Sequence, residues 1–359
     1  MQRRGISSLL IATFTLVSIC SYGQHSEVSE PSTLTAEEAV KIRKDEVTEV
    51  KNHHLVDDYS LTLLHGKDVD VSLPLPVILW EDGLHIFLSS ELDHGHKVVE
   101  SNGSYFKLHH GKIYKTDAAG KLSHNEDGET IGKVFLDFSI TKNVVIIILM
   151  SFLIFFIFKR IAKTYSGGPM PKKAGRFLEP IIIFIRDEIA IPNIGEKKHK
   201  QFMGYLLTVF FFIWFLNLAG MTPLGIGVTN NIAVTLSLAL FTFFITQFSG
   251  NKNYWAHIFW NPAIPVPMRI PLALIEVLGV FIKPFALMIR LFANMTAGHV
   301  VMISILGMIH IMDNWFATGA FFGLTLFLSI LELLVAALQA YIFTMLTALY
   351  FGSAVEEHH

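Results

Sequence analysis

Two apolar stretches near the C-terminus, Pro271–Ile309 and Phe316–Phe351, each run to nearly forty residues. As helices they would measure roughly 55–60 Å at about 1.5 Å per residue, nearly twice the ~30 Å hydrocarbon core of a bilayer. Two upright helices cannot hide that length, so strong tilt or a path along the membrane plane is expected. The link HIMDNW (310–315) turns the chain between them and makes the pair an antiparallel hairpin.

The rest of the C-terminal half follows the same logic. Ile140–Phe158 is an apolar run, Phe202–Met221 and Ile232–Phe248 are uncharged, and each of the three is long enough to cross once. With 52% hydrophobic and only 16% charged residues, the chain lies well outside soluble-domain composition. The expected fold is therefore an all-α polytopic membrane protein with about five crossings over residues 139–359. Lys159–Lys200 carries 10 Lys+Arg against 4 Asp+Glu, which marks it as a cytoplasmic loop by the positive-inside rule. RFLEPIIIFIRDEIA (176–190) within that loop is too short to span and reads as a re-entrant or interfacial helix. NKNYWAHIFWNPAIPVPMR (251–269) reads as a cytoplasmic, proline-rich and aromatic link, and five crossings leave the C-terminus cytoplasmic.

Ahead of the first span the character differs. Residues 1–23 read as a cleaved secretory signal: Arg3 and Arg4, the apolar LLIATFTLVSIC, then small residues at Ser21–Gly23. Cys20 is the only cysteine, so disulfides and cysteine–zinc sites are excluded. Residues 24–138 hold 21 Asp+Glu against 11 Lys+Arg and read as an extracytoplasmic extension. TAEEAV (35–40) carries a capping box, Thr35 with Glu38. VSLPLPVILWEDGLHIFLSS alternates around Asp82-Gly83 as a hairpin should, and SYFKLHHGKIYKT reads as a second one, so a small, mostly β domain is expected. Ten of the 16 histidines fall here. His94/His96 and His109/His110 lack a consistent ligand spacing, so a solvated surface is preferred to a metal site.

The charges inside the hairpin carry the chemistry. Glu276, Lys283 and Arg290 are seven residues apart, so at 100° per residue they share one helix stripe, which Asn294 continues. His299 falls on roughly the opposite face. Glu332 and Gln339 share a face of the second stretch. Residues at one depth of an antiparallel pair share a midpoint at the turn. On that rule Glu332 lies level with His299, and Gln339 lies near Arg290 and Asn294. Ionisable groups in a bilayer are expensive and tend to serve transport, though a structural ion pair is the plainer alternative for one isolated charge. A guanidinium keeps its proton at cellular pH and cannot relay one. Imidazole and carboxyl groups can.

IRLFANMTAGH, preceded by FIKPFALM, resembles the signature of the a subunit of F-type ATP synthases. LELLVAALQAYIFTMLTALY resembles the last helix of that family, and NLAGMTP (217–223) and NIAVTLSLAL (232–241) resemble its second and third spans. The resemblance covers about residues 140–357 and leaves 24–138 unexplained. It implies a stationary proton-conducting subunit of the bacterial inner membrane. Its implied partners are a rotating c-ring, a b-subunit stalk, a catalytic head and the lipid bilayer, with protons as cargo and no nucleic acid or cofactor. Arg290 then matches the rotor-facing arginine, with Asn294 and Gln339 close to it. Glu276 matches an outlet acid, and His299 with Glu332 match the inlet, carboxylate and imidazole being exchanged relative to some members. No phosphate-binding loop is present, so nucleotide chemistry belongs to partner subunits. A self-contained channel or secondary transporter is the main alternative, but no internal repeat supports it.

Overall fold

The computed structural model describes residues 57–64, 71–95, 97–109, 111–124, 130–134, 136–165, 174–222, 227–260, 265–311 and 315–356. The expected signal segment and the Thr35 capping box lie outside these residues. The chain forms two compact units, a β-rich one that runs to Ile148 and a helical one.

In the β-rich unit, strands β1 (Ser60–Leu64) and β2 (Val71–Pro74) pair antiparallel. β3 (Pro76–Trp80) and β4 (Leu84–Leu88) form the hairpin expected around Asp82-Gly83, with Trp80 opposite Leu84. Alternation explains the pairing: Val77, Leu79, His85 and Phe87 are buried, while Trp80, Leu84, Ile86 and Leu88 stay exposed. β5 (Val99–Ser101), β6 (Ser104–His109) and β7 (Lys112–Thr116) make a second antiparallel sheet, and β6–β7 is the second expected hairpin. The β5–β6 turn is Asn102-Gly103, with φ of 48° and 79°, the left-handed pair that a two-residue type I′ hairpin turn requires. Short strands β8 (Ser123–His124), β9 (Thr130–Ile131) and β10 (Leu136–Asp137) complete the unit, with β10 beside β3. The core is Tyr59, Val77, Leu79, Phe87, Leu92, Val99, Phe106, Ile113 and Val134. Tyr59 donates its hydroxyl to Asp137. Burial, then that bond, pushes the phenol well above its ordinary range.

Helix α1 (Lys142–Tyr165) starts in this unit. The Lys142 amide donates to the Asp58 carbonyl (2.9 Å) and the Asn143 amide to Asp57 Oδ1 (3.3 Å), so two orphan amides of the helix N-terminus are satisfied by the β-rich unit. Burial raises the Asp57 carboxyl above its ordinary value, against the pull of its hydrogen bonds.

The helical unit contains α2 (Ala174–Phe184), a π turn over Ile185–Ala190, and the short α3 (Ile191–Ile194). Beyond these come α4 (His199–Gly220), α5 (Ile232–Ser249), α6 (Lys252–Trp260), α7 (Val266–Ile311) and α8 (Trp315–Val355). Among the described residues five helices, including α1, are long and apolar enough to cross a membrane. The two long stretches are single helices of 46 and 41 residues, joined as a hairpin. Their ends run past the apolar limits read from sequence, because a helix satisfies its own backbone and continues into the polar zone. The aromatic link adds an element that its sequence did not announce. The link read over 251–269 holds helix α6, which buries Tyr254 and Ile258 against Ala354.

The core of this unit is aliphatic and aromatic: Ile185, Ile189, Leu206, Phe211, Ile213, Leu287, Leu291, Ala336, Ala340 and Phe351 are all buried. Phe202 stacks on Phe351 with centroids 4.6 Å apart. Gly352 lets α8 approach α3 so closely that a Cβ there would overlap the Asn193 carbonyl. In the π turn, Ile185, Ile189 and Ala190 face inward while Arg186, Asp187 and Glu188 are exposed.

Candidate functional site

Helix α7 divides its two faces sharply. Leu287, Leu291 and Met295 form a buried row at four-residue spacing. Arg290 and Asn294 are exposed, and Ala286, Ala293 and Ala297 are exposed beside them. Small residues thus flank the guanidinium one turn above and one below, leaving room for another helix to approach closely. Glu276 and Lys283 are half-buried further along, and the Lys283 ammonium sits 5.3 Å from the centre of the Tyr350 ring.

His299 lies on the protected side of α7, 7% exposed, and Glu332 of α8 is 6% exposed. Imidazole Nδ1 and carboxyl Oε1 are 2.6 Å apart. The second imidazole nitrogen, Nε2, lies 3.1 Å from the Gly220 carbonyl. Gly220 is the last residue of α4, and the final carbonyls of a helix have no intrahelical donor. A carbonyl only accepts, so Nε2 carries a hydrogen. Nδ1 and Oε1 then share a second hydrogen between them. The pair is either imidazolium with carboxylate or imidazole with carboxylic acid, neutral in sum both ways. Removing one hydrogen leaves two acceptors facing each other at 2.6 Å. The arrangement can hold one hydrogen between an imidazole and a carboxyl group.

The surroundings are polar in a specific way. Asn217, 1% exposed and one turn before Gly220, donates its side-chain amide to the Ala336 carbonyl (3.4 Å). Its Oδ1 is buried without a hydrogen-bond partner among the described residues. Gly298 keeps the carboxyl close, since a Cβ there would stand 3.2 Å from Glu332 Oε1. Gln339 is buried on α8 at 4% exposure. The sequence-based residues are therefore not gathered in one place. His299 and Glu332 are in direct contact, whereas Arg290 and Asn294 face outward and Gln339 faces inward.

Sequence reading did not anticipate the Gly220 carbonyl, because a backbone acceptor leaves no side-chain signal. A second omission was legible. Thr235, Thr242 and Thr246 are seven and four residues apart on α5 and form a buried hydroxyl stripe. Thr242 meets the Tyr205 hydroxyl at 2.9 Å. Thr242, Thr246 and Gln247 line a cavity with Tyr254, Lys283 and Tyr350. Among the described residues no group of three or more His, Cys, Asp or Glu side chains could hold a metal ion.

Fold and site together define a polytopic membrane protein with a buried imidazole–carboxyl pair inside its helices and an exposed guanidinium on the outer face of α7. Residues 143–352 match the family model described as ATP synthase A chain. The chain belongs to that family. It is similar to ATP synthase subunit a of Anaeromyxobacter sp. (strain Fw109-5), 40% identical over 256 residues that cover 69% of this chain and 60% of the relative. ATP synthase subunit a of Myxococcus xanthus is 41% identical over 247 residues, 65% of this chain and 80% of the relative. ATP synthase subunit a 2 of Chlorobaculum tepidum is 44% identical over 227 residues, 61% and 64% of the two chains. The chain thus spans about 60% of the Anaeromyxobacter relative's length. Residues 50–138 match a family described as a domain of unknown function (DUF8433).

Proposed function

We propose that the chain is the stationary proton-translocating subunit of an F-type ATP synthase, coupling proton flow to rotation of a c-ring and, through the complex, to ATP synthesis. The observation that carries this reading is the separation of roles along α7. An exposed arginine and a buried imidazole–carboxyl pair lie nine residues apart, about 14 Å along the axis. In this reading a proton enters from outside, rests on His299/Glu332 and neutralises a rotor carboxylate, which then turns into lipid. It leaves near Glu276, by way of the cavity beside Lys283. At about 4 Å, Arg290 attracts an ionised carboxylate by roughly 4 kcal/mol at an effective dielectric of 20, less the remaining desolvation. That attraction favours proton release. The same fixed cation separates inlet from outlet, because protons avoid it. Asn294 and Gln339 flank this point, and the alanines around Arg290 let the rotor helix approach.

The rotor ring is a direct partner, a b-subunit stalk and the catalytic head are joined through the assembly, and nucleotide chemistry stays on that head. The membrane is the bacterial inner membrane, with the N-terminal residues outside after signal removal and the C-terminus in the cytoplasm. Support for this orientation comes from the basic 159–200 segment and the leader-like residues 1–23. The test is Arg290→Ala in the assembled complex. ATP-driven proton pumping and ATP synthesis are expected to vanish, and wild-type coupling would refute the proposal. Arg290→Lys should also fail substantially, because a point charge replaces a planar fork.

A further inference from the structure

The β10-β3-β4 sheet carries large apolar side chains on both faces. Its inner face carries the core residues Val77, Leu79 and Phe87. Its outer face is a regular grid. Leu136, Trp80 and Leu84 form one row across the three strands. Ile78 and Ile86 form the next, extended by Phe138, whose amide donates to the Ile78 carbonyl. Pro76 and Leu88 form a third row. Trp80, Leu84, Ile86, Leu88, Leu136 and Phe138 are 47–64% exposed. An antiparallel sheet with one solvated face normally alternates apolar with polar residues. Here the outward positions stay apolar over an area on the order of several hundred Å², the scale at which an exposed patch marks an interaction surface.

We propose that this sheet face lies on the lipid surface of the leaflet that α1 enters. The occupant follows from continuity. Phe138 is four residues before Lys142, the first residue of α1, and the intervening backbone is fixed: the Ile140 amide donates to Pro76 and the Lys142 amide to Asp58. Even fully extended, Leu136 is within ~20 Å of the span's first residue. The first turns of α1 expose Val144 and Ile148, apolar residues of a helix that meets lipid. The grid and the first turns of α1, as far as Ile148, are therefore consecutive parts of one compact unit. Trp80 and Phe138 are large rings of the kind that settle at the headgroup level, tryptophan above all. Charge does not drive the contact. Residues 24–138 are acidic overall, so anionic headgroups repel them, and burial of the grid supplies the attraction.

The test uses the full chain in nanodiscs of zwitterionic lipid, in a Cys20→Ser background that removes the only cysteine. Spin labels are placed at Ile86→Cys and Phe138→Cys, with the exposed Lys121→Cys as a position off the grid. Both grid residues face outward, so neither change opens the packed core. Relaxation by oxygen, which concentrates in lipid, is compared with relaxation by a water-soluble nickel chelate. The expected result is that oxygen dominates at both grid positions, that the chelate dominates at 121, and that raised salt changes neither. Dominance of the chelate at either grid position overturns the proposal. Protection of the grid from both reagents overturns it too, and identifies a protein partner as the cover instead.

Discussion

Replacing Glu332 by Gln separates two roles that the buried pair could play. In the wild type, His299 keeps one hydrogen on Nε2 for the Gly220 carbonyl and shares another with Glu332 across 2.6 Å. A glutamine amide can donate to the unprotonated Nδ1, so both hydrogen bonds persist with a side chain of nearly the same shape. The stability change should be no more than the net value of a hydrogen bond, about 1 kcal/mol. Glu332→Ala instead strands a nitrogen on a histidine that is 7% exposed. Breaking a buried pair by removing one partner costs ~3–5 kcal/mol, roughly 10²–10⁴-fold in the folding equilibrium. The two variants are compared by denaturant unfolding of the reconstituted chain and by dye-monitored, ATP-driven acidification of inverted vesicles. Glu332→Gln should unfold close to wild type and yet pump poorly, because an amide holds no transferable proton. Glu332→Ala should lose both. Wild-type pumping by the Gln variant would remove Glu332 from the proton path. A stability loss in Gln equal to that in Ala would refute the hydrogen-bond accounting.

Exchanging the pair, His299→Glu with Glu332→His, should restore more pumping than either single change, because one carboxyl and one imidazole still meet at one depth; a double variant no better than the singles, read in the same vesicles, argues against a shared path. Gly352→Val should destabilise the helical unit by at least ~1–3 kcal/mol, since its side chain meets the Asn193 backbone rather than a yielding side chain; an unchanged unfolding midpoint would contradict the close approach. Asp57 gives a pH signature. Its folded carboxyl is raised above 3.8, so the folded chain binds more protons than the unfolded chain between that value and the folded one. Stability of the β-rich unit therefore falls as pH rises through this window, and Asp57→Asn should flatten the fall in urea midpoints followed across acid to neutral pH.

The legible part of this molecule was its periodicity. Long apolar runs announced α7 and α8, and period-two alternation announced the β3–β4 and β6–β7 hairpins. The level of His299 with Glu332 followed from the turn alone, because two straight antiparallel helices of fixed rise leave little freedom in depth. What escaped was whatever depends on backbone atoms or on packing between distant elements. The Gly220 carbonyl has no letter of its own. The helix over Lys252–Trp260 was hidden by its mixed polarity, since its stability comes from burying Tyr254 and Ile258 against the end of α8 rather than from an amphipathic pattern. The partition of α7 into an outward Arg290 and an inward His299 was visible in angle, but only the packed helices fix which side meets protein.

The π turn at Ile185–Ala190 has a consequence for how this chain tolerates a change of length. A single π turn stores one residue more than the α-helical turn it replaces, the usual trace of a one-residue insertion absorbed without breaking the helix. Everything beyond it is rotated by that residue, about 100° around the axis. Asn193, whose carbonyl closes against Gly352, owes its bearing to this offset. Deleting one residue from the turn would restore ordinary helix locally and swing Asn193 away from α8. The fit of Gly352 against the Asn193 backbone thus depends on the residue count of 185–190 as much as on the absence of a side chain at 352.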